Sequence, residues 1–136
     1  LRSNSMGVGP NYVLDKGLVS TGSVAYALGE LVVPSGDGTK SARATSAGAL
    51  VVFVNMENCD AWRVQTGKAV LGTRILGIAR VLAGAAVAVG AKLTNDTTAR
   101  AVAGGAAGTP SFGIALTAAT AAGQYIDVLL TPGNTM

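Results

Sequence analysis

The residues able to do chemistry in this chain are few and scattered. Seven carboxylates (Asp15, Glu30, Asp37, Glu57, Asp60, Asp96 and Asp127) are dispersed along 136 residues, and the one thiol, Cys59, lies between two of them in Asn55-Met-Glu-Asn-Cys-Asp60. Such a loop offers ligands for a metal or a setting for a reactive thiolate. A polar connection between two strands accounts for the same residues, and with a single cysteine no internal disulfide can form. No histidine occurs, which removes the usual general base, a common zinc ligand and every Ser-His-Asp or Cys-His arrangement. No spacing singles out a pair of carboxylates for acid and base roles. The inventory predicts a protein that is not an enzyme, with no catalytic residue, no metal ligand and no cofactor.

Three short motifs fail on their surroundings. Ser35-Gly-Asp-Gly-Thr-Lys-Ser41 approaches a phosphate-binding loop, but Thr39 separates Gly38 from Lys40 and no long helix follows to aim its N-terminus at a phosphate. A hairpin turn explains it better. Gly104-Gly-Ala-Ala-Gly108 has the spacing of membrane helix dimers without an apolar helix around it. Asn95-Asp-Thr97 fits the glycosylation pattern, which needs a secretory route that the polar start of the chain does not suggest.

The charge balance narrows the partners. The formal net charge is +3, and the basic residues are spread from Arg2 to Arg100 with no cluster of three. Six aromatics (Tyr12, Tyr26, Phe53, Trp62, Phe112 and Tyr125) lie mostly inside strand patterns instead of alternating with those charges. Specific nucleic-acid binding is therefore not expected. No apolar run approaches the roughly 20 residues of a membrane helix, so no membrane partner is expected. At 12% charged residues against 49% apolar, the chain carries about half the usual charge of a soluble domain. Much of its surface is expected to be covered by partners, itself included.

The elements that must position these residues are short strands. Tyr12–Leu14, Leu31–Val33, Leu50–Val54, Trp62–Gln65, Ala69–Leu71, Ile75–Val81, Phe112–Leu116 and Tyr125–Leu130 are β-prone runs between turn residues. In the last, Ile126, Val128 and Leu130 share one wholly apolar face, which should line the core. Trp62 and Val64 alternate likewise and are assigned to the core. The alanine-rich stretches are broken by glycines and β-branched residues, so at most one short helical turn is expected, around Thr117–Ala122. The fold class is all-β, a small β-barrel or β-sandwich with short hairpins. Residues 1–10, rich in Gly, Ser and Asn, read as an extended N-terminal arm, and residues 11–136 as a single β domain.

A half-hidden repeat runs through that domain. Val24–Leu31 is answered by Ala85–Leu93, with Gly29 falling on Gly90 and Ala25 and Ala27 on Ala86 and Ala88. Ala42-Arg43-Ala44 is then answered by Ala99-Arg100-Ala101, and Gly77-Ile-Ala by Gly113-Ile-Ala. Each copy reads as a small apolar run, a glycine, a short strand, a polar turn closing a hairpin (Pro34–Thr39; Thr94–Thr97) and a second short strand. The matched arginines have no acidic or aromatic companions at matching positions, so a duplicated binding site is not indicated.

Taken together, Asn11-Tyr-Val13, Val87–Asp96 and the ending Gly113–Leu130, in which Gly-Ile-Ala leads through alanines and a glycine to a Val-bearing strand, resemble the decoration, or cement, proteins of tailed-phage capsids. The resemblance covers about two thirds of the chain and leaves Leu50–Leu71 without a counterpart. It implies a small β protein that binds the outer surface of an assembled head, with the major capsid protein as partner, often as a homotrimer, and stabilises the shell. It brings no catalytic motif. The residues then expected to contact the shell or an adjacent copy are Arg2, Asn11 and Tyr12, at the junction of arm and domain. A second reading is a receptor- or glycan-binding module of a tail or fibre, for which Trp62 and Tyr26 are the aromatic candidates.

Overall fold

The computed structural model describes residues 14–35, 39–50 and 53–136. The expected contacts Arg2, Asn11 and Tyr12, and the whole arm, lie outside the described residues. Among the described residues, ten strands and one short helix follow in chain order: β1 (Leu14–Ser20), β2 (Leu31–Pro34), β3 (Lys40–Arg43), β4 (Phe53–Asn55), α1 (Ala61–Gln65), β5 (Val70–Leu76), β6 (Ile78–Leu82), β7 (Lys92–Asn95), β8 (Ala101–Ala103), β9 (Pro110–Ala115) and β10 (Tyr125–Thr135). The all-β expectation holds, and no described helix is long and apolar enough to cross a membrane.

The repeat is a duplication of topology. Strands β1 to β5 close into a barrel in the order β1-β3-β2-β4-β5, and β6 to β10 form a five-stranded sheet in the order β6-β10-β9-β7-β8. Replacing each strand of the first unit by the one five places later reproduces the second order. The ladders agree residue by residue: Leu31 pairs with Val54 as Lys92 pairs with Ile114, and Leu71 with Leu18 as Ile126 with Val81. The bridge between Tyr26 and Cys59 returns as that between Val87 and Ala119. Even the closure is echoed, since the parallel pairing of Ser20 with Ser41 reappears as an isolated parallel bridge between Ala83 and Ala101. Gly29 and Gly90 hold the same turn at φ +85° and +83°, a left-handed conformation that side chains disfavour.

Two matched sequence segments do not correspond in space. Val32, three residues after Gly29, pairs with Arg43, whereas Leu93, three after Gly90, pairs with Ala103. Arg43 therefore corresponds to Ala103, and Arg100 sits before β8. The second hairpin is one residue shorter, but its Ala-Arg-Ala string comes four residues earlier after the glycine, so the strings lie three residues out of phase. Likewise Gly77 precedes β6 while Gly113 is inside β9, so that echo joins strands with different places in the fold.

Other expectations need correction. The segment Trp62–Gln65 is the helix α1, and only Val64 of it is buried. The i, i+2 spacing of Trp62 and Val64 fits a strand face and sets them on opposite sides of a helix, and Thr66 and Gly67 end a single turn: the Thr66 hydroxyl donates to the Arg63 carbonyl at 2.6 Å, and Gly67 adopts φ +70°. The stretch expected to hold a helical turn, Thr117–Ala122, forms none, and Ala119 exchanges backbone hydrogen bonds with Val87 at 2.9 Å in both directions. The run Ile75–Val81 is two strands, broken at Gly77 with φ +104°. That one residue connects the units.

Burial follows the strand period. Ile126, Val128 and Leu130 point inward, as alternation predicts, while Tyr125 and Leu129 are exposed. Tyr26, Val32, Cys59, Val64, Ala69 and Leu71 fill the first barrel. A second cluster draws on both units, with Leu31, Ala44 and Val54 of the first packed among Val81, Leu93, Ala101, Phe112 and Ile126 of the second. At about 25 cal/mol per Å² of apolar surface, a fully buried leucine such as Leu31, with 0% exposure, contributes roughly 2 kcal/mol to holding the units together.

Candidate functional site

Of the residues singled out for chemistry, Glu57 and Cys59 are used in building the fold. Cys59 is buried in the first barrel and paired through its backbone with Tyr26. Glu57 accepts a short hydrogen bond from the Gly72 amide. The buried Asn55 amide group donates to the Ala27 carbonyl at 2.8 Å and the Glu57 carbonyl at 2.6 Å. The loop 55–60 is thus a strut between strands. Among the described residues no cluster of three potential metal ligands occurs.

Arg43 and Arg100, which sequence matching placed together, have different roles. The Arg43 guanidinium meets the mostly buried Glu30 carboxylate at 2.6 Å, and Glu30 also accepts from the Ala27 amide at 2.9 Å. Arg100 is tied through its backbone amide to Asp96 Oδ1 at 3.0 Å. The same oxygen accepts from the Thr98 amide and hydroxyl at 2.7 and 2.9 Å, and so holds the turn that places Ala99 at φ +63°.

The junction between the units is held by backbone and side-chain hydrogen bonds. The turn at Gly29 lies against the open side of the second sheet: its carbonyl accepts from the Leu82 amide at 3.0 Å, and the Leu31 amide donates to the Ala99 carbonyl at 2.9 Å. Leu31 thereby enters between β6 and β8, where the first barrel is closed by its own β1 and β3. The Tyr125 hydroxyl donates to the Leu28 carbonyl at 3.1 Å. Asn95, fully buried, donates from Nδ2 to the carbonyls of Ala44 and Ser46 at 3.1 and 2.8 Å and accepts from the Ala49 amide at 2.8 Å. This burial withdraws the Asn95 amide from any modifying enzyme. Beside it a groove of about 430 Å³ runs between Gly48, Thr94, Asp96, Val102 and Thr109.

The two aromatics considered for sugar recognition are separated. Tyr26 is buried, its hydroxyl donates to the Thr21 carbonyl at 2.7 Å, and burial raises its phenol above the ordinary value. Trp62 is 73% exposed on α1. The sequence pattern placed it in the core because it assumed a strand. Its outward position follows from the helical turn, in which Val64 alone faces the barrel.

No protein-family model matches the chain, and no curated protein does. Among solved structures, the crystal structure of the head fiber gp8.5 N base of bacteriophage phi29 superposes with a TM-score of 0.64, covering 88% of this chain and 95% of that one at 18% sequence identity. The two chains share a fold. The match spans most of this chain and almost all of the other.

Proposed function

We propose that this chain is a non-enzymatic structural protein of a phage head, bound to the outer surface of the assembled shell and stabilising it. The observation that carries the proposal is the fold shared over 88% of the chain with a protein described as a head fibre base. The resemblance of Gly113–Leu130 to capsid decoration proteins points the same way, as does a sparsely charged, Ala- and Gly-rich surface suited to close packing against protein. The major capsid protein is the proposed partner and a homotrimer the proposed state. A protein that binds only the assembled shell stabilises it by mass action, without chemistry.

Cosedimentation of the purified protein with empty heads tests this. Saturable binding at a fixed ratio to the shell subunit, with raised thermal resistance of the decorated heads, is the expected result, and absence of binding refutes it. Residues 1–10, with Arg2, Asn11 and Tyr12, are proposed to contact the shell or an adjacent copy. Their deletion should abolish binding while leaving the circular dichroism of the β units unchanged.

One observation favours the second reading, a receptor- or glycan-binding module. Trp62 presents an indole to solvent beside the exposed Arg63 and Gln65, an arrangement able to stack on a sugar ring and hydrogen-bond its hydroxyls. Glycan binding lost in Trp62→Ala, with no affinity for heads, would select it.

A further inference from the structure

The junction between the two units is heterologous: the turn of the first meets the back of the second, and these are different surfaces. Because the topology is duplicated, each surface has a counterpart: that of the turn has nothing against it, and that of the receiving face is joined to β3 at Val19 but leaves Val70 exposed. By ladder position, Leu28 and Gly29 of the inserted turn correspond to Val89 and Gly90 of the second unit. Leu82 and Tyr125, which receive the turn, correspond to Val19 and Val70 of the first.

Those counterparts keep the character of an interface. Gly90 retains the turn conformation of Gly29, yet a Cβ on Gly29 would lie 3.0 Å from the Arg80 carbonyl oxygen, the Leu82 nitrogen and the Tyr125 ring, whereas nothing lies within 4 Å of one on Gly90. Val89 is 66% exposed and Val70 53% exposed. Leucine or tyrosine at the matching positions makes the junction inside the chain; valine at both free positions leaves apolar surface in water.

We propose that the Val89–Gly90 turn docks on the outer Val19 and Val70 face of a second copy of this chain, beside the seam of β1 with β3, repeating between chains the apolar part of the contact that the units make within one. This inference goes beyond the capsid role and stands without it. The contact between chains is narrower than the one within. Lys92 replaces Leu31, and its ammonium is engaged by the Thr135 carbonyl at 2.9 Å. The first barrel is sealed at the corresponding place by the pairing of Val19 with Lys40, so the incoming turn lies beside the seam and does not enter it. Association is accordingly reversible and concentration-dependent, and a front-to-back contact either closes into a ring or runs on as a filament.

Sedimentation of the full chain from micromolar to millimolar concentration tests the proposal. The expected result is a mass that rises above the monomer for the natural protein and stays monomeric for Val89→Asp and for Val70→Asp. A mixture of the two variants should form dimers and nothing larger, because one supplies an intact turn and the other an intact receiving face. A monomeric natural protein, variants that associate undiminished, or a mixture that remains monomeric would each overturn it. Should either aspartate variant unfold, Val70→Cys combined with Val89→Cys decides instead. Oxidation should give disulfide-linked multimers, and their absence refutes the contact.

Discussion

Substitution of alanine at Gly29 and at Gly90 gives a matched pair of perturbations, since the two turns share one backbone conformation and differ in what surrounds them. At either position the new side chain must adopt a left-handed φ, at about 1–2 kcal/mol. At Gly90 that is the whole cost, because the space around it is open. At Gly29 the methyl meets two backbone atoms and an aromatic ring at 3.0 Å, and backbone cannot rotate away as a side chain can. Overpacking of this kind costs about 1–3 kcal/mol. Displacing the turn also lengthens the hydrogen bond from the Leu82 amide to the Gly29 carbonyl, worth about 1 kcal/mol. Gly29→Ala should therefore destabilise by about 3–6 kcal/mol against about 1–2 for Gly90→Ala. Urea titration of the monomeric chain, followed by circular dichroism, measures both. Equal losses at the two glycines would refute the argument that the Gly29 turn is clamped by the second unit.

Asn95→Ala should cost about 3 kcal/mol, because it strips partners from the Ala44 and Ser46 carbonyls and the Ala49 amide in a buried site; a loss below about 1 kcal/mol in chemical denaturation would contradict it. The Arg74 guanidinium, bonded to Asp15 at 2.8 and 3.1 Å, holds that carboxyl below its ordinary value. A lowered folded pKa adds stability above the ordinary value and loses it as pH falls below. With Asp15 45% exposed the contribution is under about 1 kcal/mol. Asp15→Asn should remove that part of the acid-side slope in melting temperature, and an unchanged slope would contradict the pair. Trp62→Ala should leave stability within about 0.5 kcal/mol of the natural protein, as an exposed side chain predicts, and a larger drop on thermal melting would show that the indole packs against a surface.

The sequence showed its class and its inward faces because strand period is a local signal: Ile126, Val128 and Leu130 declare themselves without reference to any neighbour. The hairpin of β2 with β3, and that of β7 with β8, were legible through the repeat around Gly29 and Gly90. The helix at Trp62 was not, because the alternation of Trp62 with Val64 fits a strand, and a single helical turn is too short to show a period of its own. Nor was the extent of the duplication. The equivalence of β4 with β9, and of β5 with β10, is carried by backbone pairing, while side chains at matched places diverge, as Thr73 and Val128 do. The junction escaped for a related reason: Leu31 looks like any strand leucine until the gap between β6 and β8 is seen. The contact expectation at Arg2, Asn11 and Tyr12 came from a resemblance and from chain position, and no described residue bears on it.

The replacement of Leu31 by Lys92 also governs how the chain sorts its own strands while folding. Two adjacent units of identical strand order offer each strand a wrong berth in the neighbouring unit, and tandem repeats characteristically misassemble by such exchange. Were β7 to settle in the place of β2, Lys92 would have to take the place of Leu31, which is 0% exposed among apolar side chains of both units. Burying an uncompensated ammonium costs several kcal/mol. One lysine thus penalises the exchanged fold while costing the native one little at the solvent-facing place it occupies.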